Sequence, residues 1–500
     1  MSGHPAFSIF SACIFPSPIM MSPFESKTAA RRALFWIAVF ALLGIALVLL
    51  YHDAEQQDSG YHYLFARWAW QNPRYLVNVW ARPLFTFVYS LPSQFGYPAA
   101  KLFTVAICLA TAWQTFRVAQ WFGSERAELV VPLLFLQPSF FLLYPVVLTE
   151  SLFALLFVIA LRVHLKGRVK TGMLIASMLI LIRPEGLFIA ILWGIWVLFD
   201  RRDPRQWWRR IPETLLLASG MILWWAAAYL ITRDPLWIKH DWPPDWQADG
   251  KANGTGPIWW YIAMLPLIVG PLLIAPFGFG LTRLLKRREQ ILITSSFLTI
   301  FILHSLMFSH GWFGSAGYPR YLVCVSPSIA LISLAGWNDL ARRQVRLPVT
   351  TARAMVTAVF ALSLLICLLY FDGWQFTRDA QAVEEMRGWF RANEKPVARL
   401  ICSQAYMRIT LDRVPWENPA FSGNREYNLD LIRQSPGKTL IFWDEDTGPK
   451  WYRMRAEDFE SAGFIRLKSQ SFSLKGLLVR LPRNGFGGPR VQQMHLFYKE

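Results

Sequence analysis

"DAEQQDSGYHYLFARWAW", Asp53 to Trp70, follows directly on an apolar run, residues 33–51, that is long enough to cross a bilayer. Three carboxylates, Asp53, Glu55 and Asp58, stand where the chain leaves that run. Behind them Tyr61, Leu64, Phe65, Trp68 and Ala69 recur at helical spacing, and Asn72-Pro73 closes the pattern. A short helix rich in Tyr, Trp and Arg beside a span is expected to lie flat in the headgroup layer, with Tyr61 and Phe65 against lipid. Asp58 sits at the N-cap position of that helix. One reading is therefore structural: Asp58 caps the helix, and Asp53 and Glu55 are solvated loop charges. The other reading is chemical, and the rest of the chain has to decide between them.

The chain of 500 residues is 54% hydrophobic, with 24 Trp and 37 Phe, more apolar surface than a soluble protein can bury. Apolar runs fall near 33–51, 98–116, 128–144, 147–165, 171–183, 185–199, 211–232, 258–282, 291–308, 320–337 and 354–371, about eleven crossings. The formal charge of +18 would by itself fit a nucleic-acid binder. Here the basic residues collect in short loops between apolar runs: Arg162/Lys166/Arg168/Lys170, Arg201/Arg202/Arg205/Arg209/Arg210, Arg283/Lys286/Arg287/Arg288 and Arg342/Arg343/Arg346/Arg353. All of them fall on the side of the basic tail, which the positive-inside rule places in the cytoplasm. No nucleic-acid partner is expected. The count depends on reading 171–199 as two short spans broken at Pro184, because one long span would turn Arg201–Arg210 outward. The five cysteines show no metal-ligand spacing and read as small core residues.

The outer face then holds the loop 52–97, the turn "IRPEGLF" (182–188), the loop 233–257, the loop "SHGWFGSAGYPRY" (309–321) and the region 372–500. In that last region a charged helix near 378–393 is followed by strand-like runs at 398–403, 438–443 and 463–472, with a helix near 455–462. The expected fold is an α-helical polytopic membrane protein with a small C-terminal α/β extracytoplasmic domain. Residues 1–32 read as a cytoplasmic tail, 33–371 as the transmembrane domain and 372–500 as the α/β domain.

Ionisable residues at membrane depth are costly and are functional candidates by default. Glu150 lies at the outer mouth of a span in "LTESLFALLF", Arg183 and Glu185 flank Pro184 at another, and Arg320-Tyr321 opens a third. The structural alternative is mutual neutralisation, such as Glu150 with Arg183. A lipid phosphate needs Arg or Lys, and an acceptor hydroxyl needs a carboxylate base. Both requirements are met on the outer face. "WDEDTG" (443–448) imitates an Asp-x-Asp metal motif, but nucleotide sugars are absent outside the cell. It reads as a strand-end turn with Asp444, Glu445 and Asp446 solvated. His304 and His310, near a span end, read as buried or interface residues.

These motifs carry a resemblance. "DSGYHYLFA" (58–66) resembles the Asp-containing first-loop motif of the GPI mannosyltransferase II (PIG-V-like) and protein O-mannosyltransferase-like families of the GT-C superfamily. "TESLFALLF" (149–157) resembles the Ser-Glu-Ser-Leu-Phe-like motif of the first, and "IRPEGLF" its Arg-containing turn, with Pro184-Glu185 where members often carry Ser-Asn. "PRYLVCVSP" (319–327) is similar to the Arg-Tyr motif that opens a late GT-C span. The Asp-Glu pair of many members is Asp58-Ser59 here, which leaves the base between Asp58, Asp53 and Glu55. The match spans most of 33–340; residues 372–500 resemble no named family.

The resemblance implies a membrane glycosyltransferase acting on the extracytoplasmic face of the inner or plasma membrane. It would move one sugar, mannose in the families resembled, from a polyprenyl-phosphate donor to a glycan, lipid or protein hydroxyl, with inversion. The implied roles are Asp58 as base, with Asp53 or Glu55 as the alternative, and Arg183 and Arg320 on the lipid phosphate. Glu150, Glu185 and Tyr321 complete the substrate-binding set, Glu150 orienting the acceptor or the arginines. No cofactor is expected, and a divalent metal is compatible with the reaction without being required. The rival functions are a transporter or flippase for lipid-linked sugars, and a non-catalytic component of envelope-polysaccharide assembly.

Overall fold

The structure, a computed structural model, describes residues 23–50, 57–200, 205–243, 254–287, 290–343, 349–373, 376–393, 395–403, 405–410, 413–445, 448–473 and 491–500. Among the described residues, six helices are long and apolar enough to cross a membrane: Lys27–Leu50, Tyr97–Trp121, Trp207–Thr232, Ile291–His310, Pro319–Arg343 and Ala354–Phe371. Each coincides with an apolar run of the sequence. The other runs form shorter helices, most of them interrupted. Residues 128–144 divide into Val130–Phe135 and Pro138–Leu143, because Pro138 has no N–H to continue a helix and starts a new one. Pro184 separates Val169–Ser177 and its 3-10 extension to Leu181 from Gly186–Phe199. Residues 258–282 are broken at Pro266 and Pro271 into Trp260–Ala263, Leu265–Ile268 and Ile274–Leu284. Residues 147–165 form one helix, Thr149–Leu165. Interrupted helices are tolerated at membrane depth where protein surrounds them.

Close backbone approach at glycines sets the packing. A Cβ on Gly186 would lie 2.3 Å from the Ile180 nitrogen, so the 182–186 turn closes tightly only around a glycine. Gly280 and Gly336 face one another's helices, and a Cβ on either would sit 1.8 Å from a carbonyl oxygen, of Ile332 and Pro276 respectively. This brings Ile274–Leu284 against Ser326–Arg343.

The helices share a polarity. Thr149–Leu165 begins beside Glu150 and ends past Arg162. The 3-10 segment Pro319–Val325 carries Arg320 and leads into Ser326–Arg343, which ends at Arg342 and Arg343. Those basic ends have carboxylate partners of their own: Arg342 with Glu125 at 2.8 Å, Arg283 with Asp339 at 3.3 Å and Lys170 with Glu213 at 3.3 Å. The ionisable candidates and the basic loops therefore occupy opposite ends of the same helices.

The C-terminal region is a four-stranded sheet with strands β1 (Arg399–Cys402), β2 (Thr439–Asp444), β3 (Ile465–Ser473) and β4 (Val491–Lys499), in the order β1-β2-β4-β3. β1 and β2 are parallel, and the other two pairings are antiparallel. One face (Leu400, Leu440, Phe442, Met494, Leu496) packs on Met386 and Phe390 of the helix Phe376–Ala392. The other (Ile401, Ile441, Trp443, Phe497) packs on Phe421, Tyr452 and Phe459. The alternation of side chains across strands produces both cores. β4 has no counterpart among the strand-like runs of the sequence reading.

The opening stretch is a helix, Gln57–Arg67, but it does not lie on lipid. Tyr61 packs edge-on to Trp80 at 6.2 Å, and Phe65 lies 4.7 Å from Tyr75. On its far side sits the short helix Ala405–Thr410, whose Ala405 and Ile409 join the membrane region's core. Trp68 meets Trp416 at 5.8 Å. The apolar face expected against headgroups is thus covered by protein. Exposed apolar residues here are Trp70, just past the helix, and one element later Phe87, Leu91 and Phe95, four apart along Pro83–Ser90 and the turn Pro92–Phe95.

Candidate active site

The opening helix, the start of Thr149–Leu165, the 182–186 turn, the last turns of Ile291–His310 and the Pro319–Val325 segment converge on one chain of ionic contacts. Arg320 Nη2 donates to Asp58 Oδ2 at 2.5 Å. Arg320 Nε lies 3.7 Å from Glu150 Oε1, and the same oxygen is 2.9 Å from Arg183 Nη1. Arg183 Nη1 also donates to Thr149 Oγ1 at 3.0 Å, and Arg183 Nη2 donates to Glu185 Oε1 at 2.7 Å. Glu185 Oε1 is in turn 3.2 Å from His304 Nε2. Aromatic faces support the cations. Arg183 lies over Tyr321 at 5.4 Å, and Arg320 over Tyr318 at 5.0 Å and Tyr321 at 5.9 Å. Tyr321 itself stacks on His304 at 4.7 Å.

Burial assigns different work to the three carboxylates. Glu150 and Glu185 are 1% and 5% exposed, whereas the Asp58 side chain is 43% exposed. Of the three, Asp58 can meet a group arriving from outside, and the two glutamates can only hold arginines. Arg320 is buried, and its Nε and Nη1 have no hydrogen-bond partner among the described residues. A buried guanidinium with unused donors is a strong anion receptor. Paired buried charges add little net stability against well-packed apolar residues, so so long a chain of them is better explained by chemistry than by folding.

Neighbouring groups extend the site. Ser59 Oγ and the Tyr97 hydroxyl are 2.7 Å apart, and the buried Lys101 Nζ lies 5.3 Å from the Tyr97 ring. His62 is stacked on Trp80 at 4.5 Å, and burial lowers its pKa to about 3. Arg82, held at φ 70°, donates to Val79 O at 2.8 Å. Burial, and after it the nearby Arg183, push its guanidinium down to about 9.

Asp58, Glu150, Arg183, Glu185, Arg320 and Tyr321 are thus brought together, while Asp53 and Glu55 lie outside the described residues. The Glu150–Arg183 neutralisation is present, but as one link of a longer chain. Asp58 lies in the first described turn of the helix Gln57–Arg67, and its carboxylate engages Arg320. His304 belongs to the site, which its sequence context concealed. Lys101 is also close by, and a lone lysine inside an apolar run is the signal for it. "WDEDTG" differs from its expected form: Asp444 is the buried last residue of β2, paired with Met494, and Glu445 is half-buried with its carboxylate on Trp443 Nε1 at 3.1 Å. Asp446 lies outside the described residues. His310 is exposed and stacks on Trp312 at 4.7 Å. Among the described residues no group of three or more His, Cys, Asp or Glu is placed to hold a metal ion.

The fold, with its apolar helices and small C-terminal sheet, is that of the GT-C membrane enzymes the motifs resembled. The chain is similar in structure to ArnT from Cupriavidus metallidurans. The crystal structure bound to undecaprenyl phosphate aligns at a TM-score of 0.56 with 12% identity, covering 92% of this chain and 98% of that one. The apo-state structure aligns at 0.57 with 12% identity, covering 93% and 98%. No protein-family model matches the chain, and no curated protein matches its sequence.

Proposed function

We propose that this protein is a membrane glycosyltransferase that moves one sugar from a polyprenyl-phosphate donor to an acceptor hydroxyl, on the extracytoplasmic face. The observation that carries the reading is the 2.5 Å contact between Asp58 and Arg320. It sets a partly exposed carboxylate against a buried guanidinium with two further donors to offer. ArnT, which shares the fold, binds undecaprenyl phosphate. Arg320 receives the donor phosphate here, with Arg183 beside it. The phosphate and Asp58 compete for Arg320, so donor binding releases the carboxylate next to the reacting bond. Asp58 then takes the acceptor proton as the hydroxyl oxygen attacks the anomeric carbon. The bond from that carbon to the phosphate oxygen breaks with inversion, and the lipid phosphate leaves with its charge held by arginine. Glu150 and Glu185 keep both arginines oriented. The motif resemblance favours mannose as the sugar; the acceptor is a glycan, lipid or protein hydroxyl.

The test is a reconstituted reaction. Purified protein is incubated with undecaprenyl-phosphate-mannose and an envelope extract as acceptor source, and free undecaprenyl phosphate is followed by mass spectrometry. Acceptor-dependent release by the wild type and its loss in Asp58→Asn are expected. Passage of the intact donor across a liposome bilayer without cleavage would establish a transporter instead.

A further inference from the structure

We infer that His304 is a positioning residue of this site, an inference that rests on the functional reading above. A histidine buried for packing alone ordinarily satisfies its ring nitrogens by hydrogen bonds. His304 is 2% exposed, and among the described residues neither of its ring nitrogens has an aligned hydrogen bond. Its nearest ring neighbour besides Tyr321 offers none: the Tyr261 hydroxyl donates to the Tyr318 carbonyl at 3.2 Å instead.

Two contacts of His304 lead to the guanidinium groups. Nε2 lies 3.2 Å from Glu185 Oε1, the oxygen that accepts from Arg183 Nη2 at 2.7 Å. The ring face lies on Tyr321, 4.7 Å away and tilted by only 23°, and Tyr321 supports Arg183 and Arg320 from its own ring. One side chain therefore abuts both arms of the phosphate-binding pair, through a carboxylate on one arm and an aromatic plate on the other. Its Nε2, 3.2 Å from Glu185 Oε1 without an aligned hydrogen bond, stands as a polar neighbour to the carboxylate that holds Arg183, and its face keeps Tyr321 from rotating away from Arg320. It acts through these neighbours.

Two substitutions separate the two contacts. His304→Phe keeps a ring for Tyr321 and removes the ring nitrogen beside Glu185. His304→Gln keeps an N–H donor and removes the ring. The full-length proteins are purified, checked for a cooperative thermal transition, and titrated with undecaprenyl phosphate by native mass spectrometry. Donor KM and kcat are measured in parallel. His304→Phe is expected to weaken undecaprenyl-phosphate binding and raise donor KM by about tenfold, with His304→Gln weaker by about threefold and kcat changed less than KM in both. If His304→Phe lacks a cooperative transition, the Gln variant decides. Wild-type binding and KM in a folded variant, with or without a lowered melting temperature, would overturn the inference and leave His304 as core. Failure of the wild type itself to bind undecaprenyl phosphate would overturn the functional reading, and the inference with it.

Discussion

Arg183 and Arg320 carry the same charge but hold it under different conditions. Arg183 is shared between Glu150 and Glu185, whereas Arg320 has its close contact with the partly exposed Asp58. Arg320→Gln is therefore expected to weaken donor binding by about 1.5–3 kcal/mol, with partial recovery in Arg320→Lys because the planar fork is lost. Arg183→Gln leaves Glu150 and Glu185 buried without their shared cation and is expected to cost about 3–5 kcal/mol of stability, read as a lower unfolding midpoint. Equal effects of the two Gln variants on donor KM, with no difference in stability, would contradict this division. Asp58→Asn is expected to act in two directions at once. Turnover should fall by about 10²–10⁴-fold, the usual worth of a general base. Undecaprenyl-phosphate binding should hold or tighten, because a neutral amide no longer competes for Arg320. A residue that only capped a helix would show neither effect, since Asn caps about as well as Asp. Asp53→Asn and Glu55→Gln, assayed beside it, test the alternative bases.

At the scale of the element, the opening helix is clamped on two sides. His62 fills the slot between Trp80 and Phe85, at 4.5 and 5.1 Å, on one of them. Its pKa, lowered to about 3 by burial, lies below the ordinary 6.5. The sign of the pH dependence follows. The unfolded chain takes up a proton at this position near pH 6.5 and the folded chain does not. The stability contributed by neutral His62 is therefore fully present above pH 6.5 and is lost progressively as the pH falls toward 3. Thermal unfolding between pH 7.5 and 5 should show the wild type losing stability that His62→Phe, which keeps the aromatic slot filled and does not titrate, retains. Parallel curves for the two proteins would mean that His62 is solvated. The other clamp is the helix Ala405–Thr410. Its buried Arg408 reaches Cys402 Sγ at 3.2 Å and the Pro419 carbonyl at 2.6 Å, which ties it to β1 and the segment beyond it. The C-terminal sheet domain thereby braces the helix that presents Asp58.

For the molecule as a whole, contact between the opening helix and the C-terminal domain bears on a question of parity. Trp68 and Trp416 can touch only if residues 57–97 and the sheet domain lie on one side of the membrane. The basic loops sit at the opposite ends of the helices, so the positive-inside rule predicts an extracytoplasmic location for the shared side. Cysteines at Gln71 and Ser469, both exposed, should react with a membrane-impermeant thiol reagent in intact cells. The described native cysteines, Cys108, Cys324, Cys367 and Cys402, are buried and should leave a low background. Labelling of one position without the other would show that the chain crosses the membrane once more or once less than this arrangement needs.

Much of this was legible in the residues because it depends on local properties. A run of apolar residues declares an apolar helix, a loop of lysines and arginines predicts its side, and a proline declares a break. Charged residues at membrane depth mark themselves as candidates, which is how Glu150, Arg183, Glu185 and Arg320 were visible, whereas Asp58 stood out through the motif resemblance of its loop. What the chain could not declare is partnership. Asp58 and Arg320 are 262 positions apart, and only packing decides that they meet. Helical periodicity showed that the opening helix has an apolar face. It did not show whether lipid or protein covers that face, because Trp80, Tyr75 and a domain more than three hundred residues away supply the cover. β4 escaped notice for the same reason. Met494, Leu496 and Tyr498 alternate over too few residues to stand out, and their strand is stabilised by β2 and β3, far from it in sequence. His304 looked like any apolar-helix histidine until Glu185 and Tyr321 were placed around it. Local composition determines which segments enter the membrane and which charges go with them; contact energies between distant segments determine what those charges face, and therefore what they can do.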